Sequence, residues 1–377
     1  MSVEIQGRCD KKFASVKDAF AKNFEDSLDT GASVAMTIDG ENVVDLWAGD
    51  LVDEVDKQWQ EDTIVNVWST TKTMAATVML MLADRGLLDF NEKISMYWPE
   101  FAQNGKEDIA VRHIMSHSAG LSTVEEPIVF EDFCDHDKIA SLLAAQAPWW
   151  EPGTKSGYHA ITQGHLQNEL VRRITGKTLG TFFREEIAEP LGADFHIGTP
   201  AACYPRIGVL SPPEASADLG IDPNSIMAKT MNNPALSALA SRTDAWRQAE
   251  IPAANGHGNA RSVARIHSAI ACGGEVDGVR LLSEDGCRKI FDVQTDGADL
   301  VLGIPVRFGM GFGLNSDYQP LSPNKNVCYW GGWGGSLAVI DMDAKMSFAY
   351  VMNRMMAGTT GDMRAASLLM PAYGALA

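Results

Sequence analysis

The sequence lacks the features that would mark a metalloprotein, a nucleotide-binding protein or a disulfide scaffold. Its six cysteines (Cys9, Cys134, Cys203, Cys272, Cys287 and Cys328) stand far apart and form no CxxC pair. That spacing offers neither a zinc site nor a disulfide framework, and the residues read as reduced thiols of a reducing compartment. There is no HExxH, no Walker loop and no GxGxxG followed by a ribose-binding acid, so neither metal nor cofactor is expected. Positive charge is in deficit, with 31 Lys and Arg against 49 Asp and Glu and a net charge of −18. Such a chain is a poor partner for a nucleic-acid backbone or an anionic membrane. Residues Met1 to Arg8 hold no apolar segment of signal-peptide length. The longest apolar run, Thr73 to Ala83, is too short and too interrupted to span a bilayer. A cytoplasmic location is expected.

What is present is an ordinary globular composition, 45% apolar and 21% charged over 377 residues. That length buries a large core, as two domains or one composite one. Residues 11–28 read as an amphipathic helix, with Phe13, Val16, Ala19, Phe20 and Phe24 at helical spacing. Two β-like runs follow, 32–38 and 42–48, joined by the hairpin signal Asp39-Gly40. Helical patterns dominate from there to about residue 200, among them Thr162 to Thr175, stopped by Gly176, and Thr178 to Ala188. Residues 199–258 are rich in Pro, Asn and Gly, and so long an irregular stretch suggests a pocket wall. A helix at about 260–272 precedes strand signals at 308–314, 327–330, 336–341 and 346–352, and 363–369 reads as a closing helix. Strands at both ends and helices between them predict an α/β (α+β) fold. Its antiparallel sheet, flanked by helices, is built from both termini, residues 1–68 plus about 260–377. A mostly helical domain, about 69–259, is inserted, with the active site between the two.

The chemistry is concentrated in Ser69-Thr70-Thr71-Lys72, which opens that apolar run. Ser69 is placed to cap a helix rich in Ala, Leu and Met, with Arg85 and Gly86 at its far end. Residues three apart share a helix face, which sets the Lys72 amine beside the Ser69 hydroxyl. The following turns are apolar all round, so the helix is buried. Burial disfavours the charged lysine; a drop of roughly three units needs about 4 kcal/mol. A neutral lysine can take a proton from serine and make it a nucleophile. Ser-x-x-Lys alone is weak evidence, because it recurs by chance and a serine at a helix start is usually only a cap.

Two further stretches strengthen it: Glu151-Pro152-Gly153-Thr154-Lys155-Ser156-Gly157-Tyr158-His159-Ala160 and Trp330-Gly331-Gly332. In this order the three resemble the serine β-lactamase and penicillin-binding-protein superfamily, in particular its class C-like branch of family VIII carboxylesterases. Segments 113–121 and 187–192 look like scaffold of the same family, and the likeness runs from about residue 30 to 352. The resemblance implies a β-lactamase-like fold and a serine hydrolase working through an acyl-enzyme. Ser69 would be the nucleophile, with Lys72 and Tyr158 sharing the proton transfers; which of the two is the base stays open. It also implies an oxyanion site formed by the backbone N–H groups of Ser69 and Trp333.

Two departures bear on the substrate. Ala160 stands where the family's Tyr-x-Asn motif has Asn, and Trp330 where penicillin-recognising members have the Lys of Lys-Thr-Gly. Losing a cationic contact to a carboxylate removes a charge-assisted interaction worth about 1.5–3 kcal/mol. Trp330 offers an aromatic face to an uncharged group instead, and Gly331 and Gly332 either leave room for a substrate near the backbone or mark a bulge or edge bend. His159, beside Tyr158, is expected to line the pocket. A small-molecule ester of a short acyl chain is therefore the expected substrate. The alternatives on the same site are a β-lactam, D-amino-acid peptide or other amide, and acyl transfer to an alcohol. A non-catalytic binding protein is the alternative of a different class. A Ser-His-Asp triad is disfavoured, because Gly334-Gly335-Ser336-Leu337-Ala338 is the nearest approach to a Gly-x-Ser-x-Gly elbow.

Overall fold

The computed structural model describes residues 3–53, 57–214 and 221–377. Parts of the predicted segments 1–68 and 199–258 lie outside those residues. Nine strands make one antiparallel sheet: β1 (Gln6–Cys9), β2 (Gly31–Ile38), β3 (Glu41–Gly49), β4 (Thr295–Ala298), β5 (Pro305–Phe308), β6 (Gly313–Leu314), β7 (Val327–Gly331), β8 (Leu337–Asp341) and β9 (Met346–Met352). Their order across the sheet is β1-β3-β2-β9-β8-β7-β6-β5-β4. The N-terminal strands thus join the C-terminal ones at the β2–β9 seam, where Ile38 faces Met346 and Ala32 faces Met352.

Local signals explain most of this. Asp39 and Gly40 both have positive φ (49° and 84°), the geometry of the two-residue turn that joins β2 to β3. The predicted single strand 308–314 is instead a hairpin, because Gly311 takes φ 87° and Phe308 pairs back onto Gly313. Strand β4 carries no alternation that sequence patterning detects, and it appears only as the partner of β5.

Both faces of the central strands are covered. Ser33, in register with Val351, accepts a hydrogen bond from the Ala260 N–H at the start of the helix Ala260–Ala271. The small side chains of Ser33, Ala35, Ser347 and Ala349 let that helix lie close. On the opposite face, Tyr350 donates to Asp29 at 2.6 Å, and Arg364 of the closing helix Met363–Leu376 pairs with the same carboxylate at 3.0 Å. The N-terminal helix Ala14–Glu25 packs along that closing helix.

Between β3 and the helix Ala260–Ala271 the regular structure of the described residues is mainly helical, with long coil between the helices. The helix Thr71–Asp84 is buried from Thr71 to Leu82. The helix Thr162–Thr175 ends at Gly176 with φ 72°, the left-handed stop expected of glycine. The predicted helix 178–188 forms in two styles, α over Leu179–Phe183 and π over Arg184–Ala188. Among the described residues no helix is long and apolar enough to cross a membrane.

Candidate active site

Ser69 sits on a 3₁₀ turn, Trp68–Thr70, that feeds the helix Thr71–Asp84. It does not cap the helix as expected. The residue flanking the α-helical part is Thr70, itself in helical conformation, and neither residue makes a side-chain cap bond. The local side-chain bonds come instead from Thr71 Oγ1 to the Trp68 carbonyl and from Thr73 Oγ1 to the Thr70 carbonyl. That leaves the Ser69 hydroxyl free for its neighbour. The turn carries strain: Trp68 adopts φ 46°, a region L side chains rarely enter. It is held there by ring contacts to Trp246 (5.3 Å between centroids) and Trp333 (5.0 Å).

Lys72 Nζ stands 3.2 Å from Ser69 Oγ and donates to the carbonyls of Ala160 (2.7 Å) and Ala253 (2.9 Å). The side chain is buried, and among the described residues no carboxylate pairs with it. Burial therefore pushes its amine well below the ordinary lysine range. A neutral amine has two N–H groups and one lone pair. With the two carbonyls taking two N–H groups, the third direction faces Ser69: a lone pair there in the neutral amine, a third N–H in the charged one.

Tyr158 lies on an irregular segment between Trp149 and Ile161, with its ring 4.7 Å from Lys72 Nζ. Burial raises its phenol above the ordinary tyrosine range, although hydrogen bonding to Ser69 and Trp330 pulls the other way and the Asp299 charge adds a little upward. The phenol is a proton donor at neutral pH. Trp330, expected to show its ring face to a substrate, does something else. It is buried, donates its indole N–H to Tyr158 Oη at 3.1 Å, and packs its ring on Tyr158 and Phe308. The inward face of β7 turns it under the tyrosine rather than into the cavity.

His159 is likewise not where it was expected. It is fully buried, accepts from the Leu121 N–H through Nε2 and bonds the Gly157 carbonyl through Nδ1, and burial brings its pKa down to about 3. It is a neutral strut between loops. His117, beneath Tyr158, accepts from the His159 N–H and is also held neutral by burial.

Gly331 and Gly332 make room for the protein's own chain rather than for substrate. A Cβ at Gly332 would overlap the Val67 carbonyl and the Ser336 hydroxyl, and would lie 3.2 Å from Ser69 N. At Gly331 it would overlap the Thr360–Gly361 backbone. The turn after β7 is thus pressed against the turn that carries Ser69, a contact held by Ser336 Oγ, which donates to Val67 O and lies 2.9 Å from Thr70 Oγ1. The backbone N–H groups of Ser69 and Trp333 have no acceptor among the described residues.

These groups open on a cavity of about 170 Å³. Its apolar walls include Trp68, Phe133, Ile161, Met231, Leu236 and Trp333; Ser122, Thr123, Thr230 and Thr359 supply hydroxyls, and among the described residues no Lys or Arg lines it. The irregular stretch 199–258 contributes Thr230, Met231, Pro234, Leu236 and Ala254 to the wall. Trp246 belongs to the core under Trp68, and Trp149 and Trp150 are not among the lining residues. Neither Phe133, on the short 3₁₀ helix Phe130–Cys134, nor Leu236, on an irregular segment, lies in a stretch long enough to show periodicity.

The sequence model of the family described as Beta-lactamase matches residues 20–369. The chain is similar to "Esterase/beta-lactamase LipL" of Mycobacterium tuberculosis (strain ATCC 25618 / H37Rv), 36% identical over 93% of this chain and 83% of that protein. A crystal structure of a family VIII carboxylesterase superposes with TM-score 0.93 at 41% identity, covering 99% of this chain and 100% of the other. A penicillin-binding protein homolog from Caulobacter crescentus gives 0.92 at 37%, with coverage of 99% and 100%. With the match running almost end to end, the chain belongs to the beta-lactamase family, as a serine hydrolase of the family VIII carboxylesterase type.

Proposed function

We propose that this serine esterase cleaves short, uncharged acyl esters, with Ser69 as nucleophile, Lys72 as its base and Tyr158 as the acid for the leaving group. The observation that carries the reading is the Lys72 amine, with both N–H groups engaged by carbonyls and its remaining direction 3.2 Å from Ser69 Oγ. Lys72 takes the Ser69 proton as Oγ attacks the ester carbonyl. The oxyanion is received by the Ser69 and Trp333 N–H groups. Tyr158 protonates the departing alkoxide and recovers a proton from Lys72, whose Nζ lies against its ring. Water, deprotonated by Lys72, then attacks the acyl carbonyl, and Ser69 Oγ leaves with that proton returned from Lys72, releasing the acid. Donors aimed at the developing oxyanion contribute about 3–4 kcal/mol each in sites of this kind.

Cavity size and lining support the substrate class. Apolar cavities of about 150 Å³ accept a benzene-sized guest, so a space of about 170 Å³ suits a short acyl chain. With no cation in the wall, the carboxylate of a β-lactam finds no charge partner there. Six free cysteines support the cytoplasm as the proposed compartment.

The test is hydrolysis of p-nitrophenyl acetate, butyrate and octanoate beside a chromogenic cephalosporin, by the wild type and Ser69→Ala. Turnover of the two short esters, abolished in the variant and exceeding both octanoate and cephalosporin cleavage, is the expected result. Ester turnover that survives Ser69→Ala overturns the mechanism, and cephalosporin cleavage at the ester rate overturns the substrate class.

A further inference from the structure

No regular element holds Tyr158. Its segment runs as coil, and although Trp330 and His117 pack on its ring and Trp330 donates to its hydroxyl, none of these side chains fixes its backbone. The backbone is held from the sheet side of the molecule. Asp299, just beyond the end of β4, is buried and directs one carboxylate oxygen, Oδ1, at three backbone N–H groups. These are Tyr158 at 3.0 Å, Val301 at 2.8 Å and Leu302 at 2.9 Å. Beside it the Leu300 N–H donates to the Ser156 carbonyl at 2.9 Å, and the Asp299 N–H donates to Ile304 O at 3.0 Å. The side chain therefore shapes its own turn and fastens the tyrosine segment to it in one knot. Building this knot is costly, since Oδ2 is buried without a partner.

We propose that Asp299 is a positioning residue for Tyr158: by gripping the tyrosine's backbone N–H from the sheet side, it keeps the phenol hydroxyl between the Trp330 indole and Ser69. This rests on the reading of Tyr158 as the acid for the leaving group. The consequence is selective. An alkoxide must be protonated to depart, whereas p-nitrophenolate spreads its charge over the ring and leaves without help. Misplacing Tyr158 therefore harms alkyl esters and spares p-nitrophenyl esters.

The experiment compares Asp299→Ala, Asp299→Asn, Tyr158→Phe and the double variant Asp299→Ala/Tyr158→Phe on ethyl butyrate and p-nitrophenyl butyrate. Rates are expressed per serine labelled by a fluorophosphonate, which counts only folded sites. For Asp299→Ala, kcat on ethyl butyrate is expected to fall on the order of 10²-fold, with kcat on the p-nitrophenyl ester and both KM values within about threefold of wild type. Asn offers an oxygen to the same three N–H groups and is expected to restore ethyl butyrate turnover. The double variant is expected to be no slower than Tyr158→Phe, because the two act through one group. Equal losses on both esters, additive losses in the double variant, or unchanged ethyl butyrate turnover would overturn the assignment. If Asp299→Ala takes up no label, Asp299→Glu, whose extra methylene displaces the grip, is read by the same criteria. Failure here with Ser69→Ala inactive and Tyr158→Phe selective for alkyl esters rejects only the role of Asp299. Activity persisting in Ser69→Ala rejects the enzyme mechanism itself.

Discussion

In the proposed mechanism the chemistry turns on Lys72, which has no carboxylate partner among the described residues. Protonated Lys72 has no lone pair for Ser69, so turnover exists above its folded pKa and is lost as pH falls through it. Burial moves that pKa well below the usual 10.5. The acid limb of kcat/KM for p-nitrophenyl butyrate should accordingly lie well below pH 10.5. Lys72→Arg, which stays charged, should reduce kcat by roughly 10²–10⁴-fold at every pH. A pH profile on both proteins checks this; an arginine variant with near-normal kcat would contradict it. At this scale the contact between Ser69 and Lys72 was legible, because spacing alone sets it. Ser69 and Lys72 are three residues apart on one helical face, and Tyr158 lies in a motif of its own. Trp330 and His159 were placed wrongly because the direction of a ring depends on strand register and loop path, which neighbours in sequence do not encode. Asp299 was invisible for a related reason, since its partners are 141 positions away or belong to its own featureless turn.

Among the elements, the turn after β7 matters most to the site. Its glycines allow backbone to touch backbone beside Ser69, so a side chain at 332 must part the two turns. Gly332→Ala should lower kcat by roughly 10²–10³-fold through the oxyanion donors. Gly86→Ala, where a Cβ meets nothing within 4 Å but φ is 69°, should leave kcat alone and cost about 1 kcal/mol of stability. Kinetics and urea melts on the two variants separate the effects. Element existence was mostly legible, from helix-forming apolar composition in Thr71–Asp84, the glycine stop of Thr162–Thr175 and the Asp39-Gly40 turn between β2 and β3. The exceptions were the 308–314 hairpin and β4, short pieces whose pairing partners, rather than their own patterns, make them strands.

For the whole molecule, the buried Arg364 ties the closing helix to the rest. It pairs with Asp29 and Asp362 and donates to the carbonyls of Gly334 and Arg354. Gly334 follows Trp333, so this network also stands behind the oxyanion turn. Arg364→Ala strands the Asp29 carboxylate in the interior and should lower stability by about 3–5 kcal/mol. The expected readout is a lower urea midpoint together with reduced kcat; an unchanged midpoint would show that the network is dispensable. Closure of the sheet at the β2–β9 seam has a consequence in time. During synthesis the free edge of β2 waits for a partner made roughly 300 residues later, about 15–60 s at ribosomal speeds. Throughout that interval the nascent chain exposes an apolar strand edge. Expression yield in a host should thus depend on chaperone supply and translation rate more than on the stability of the finished enzyme.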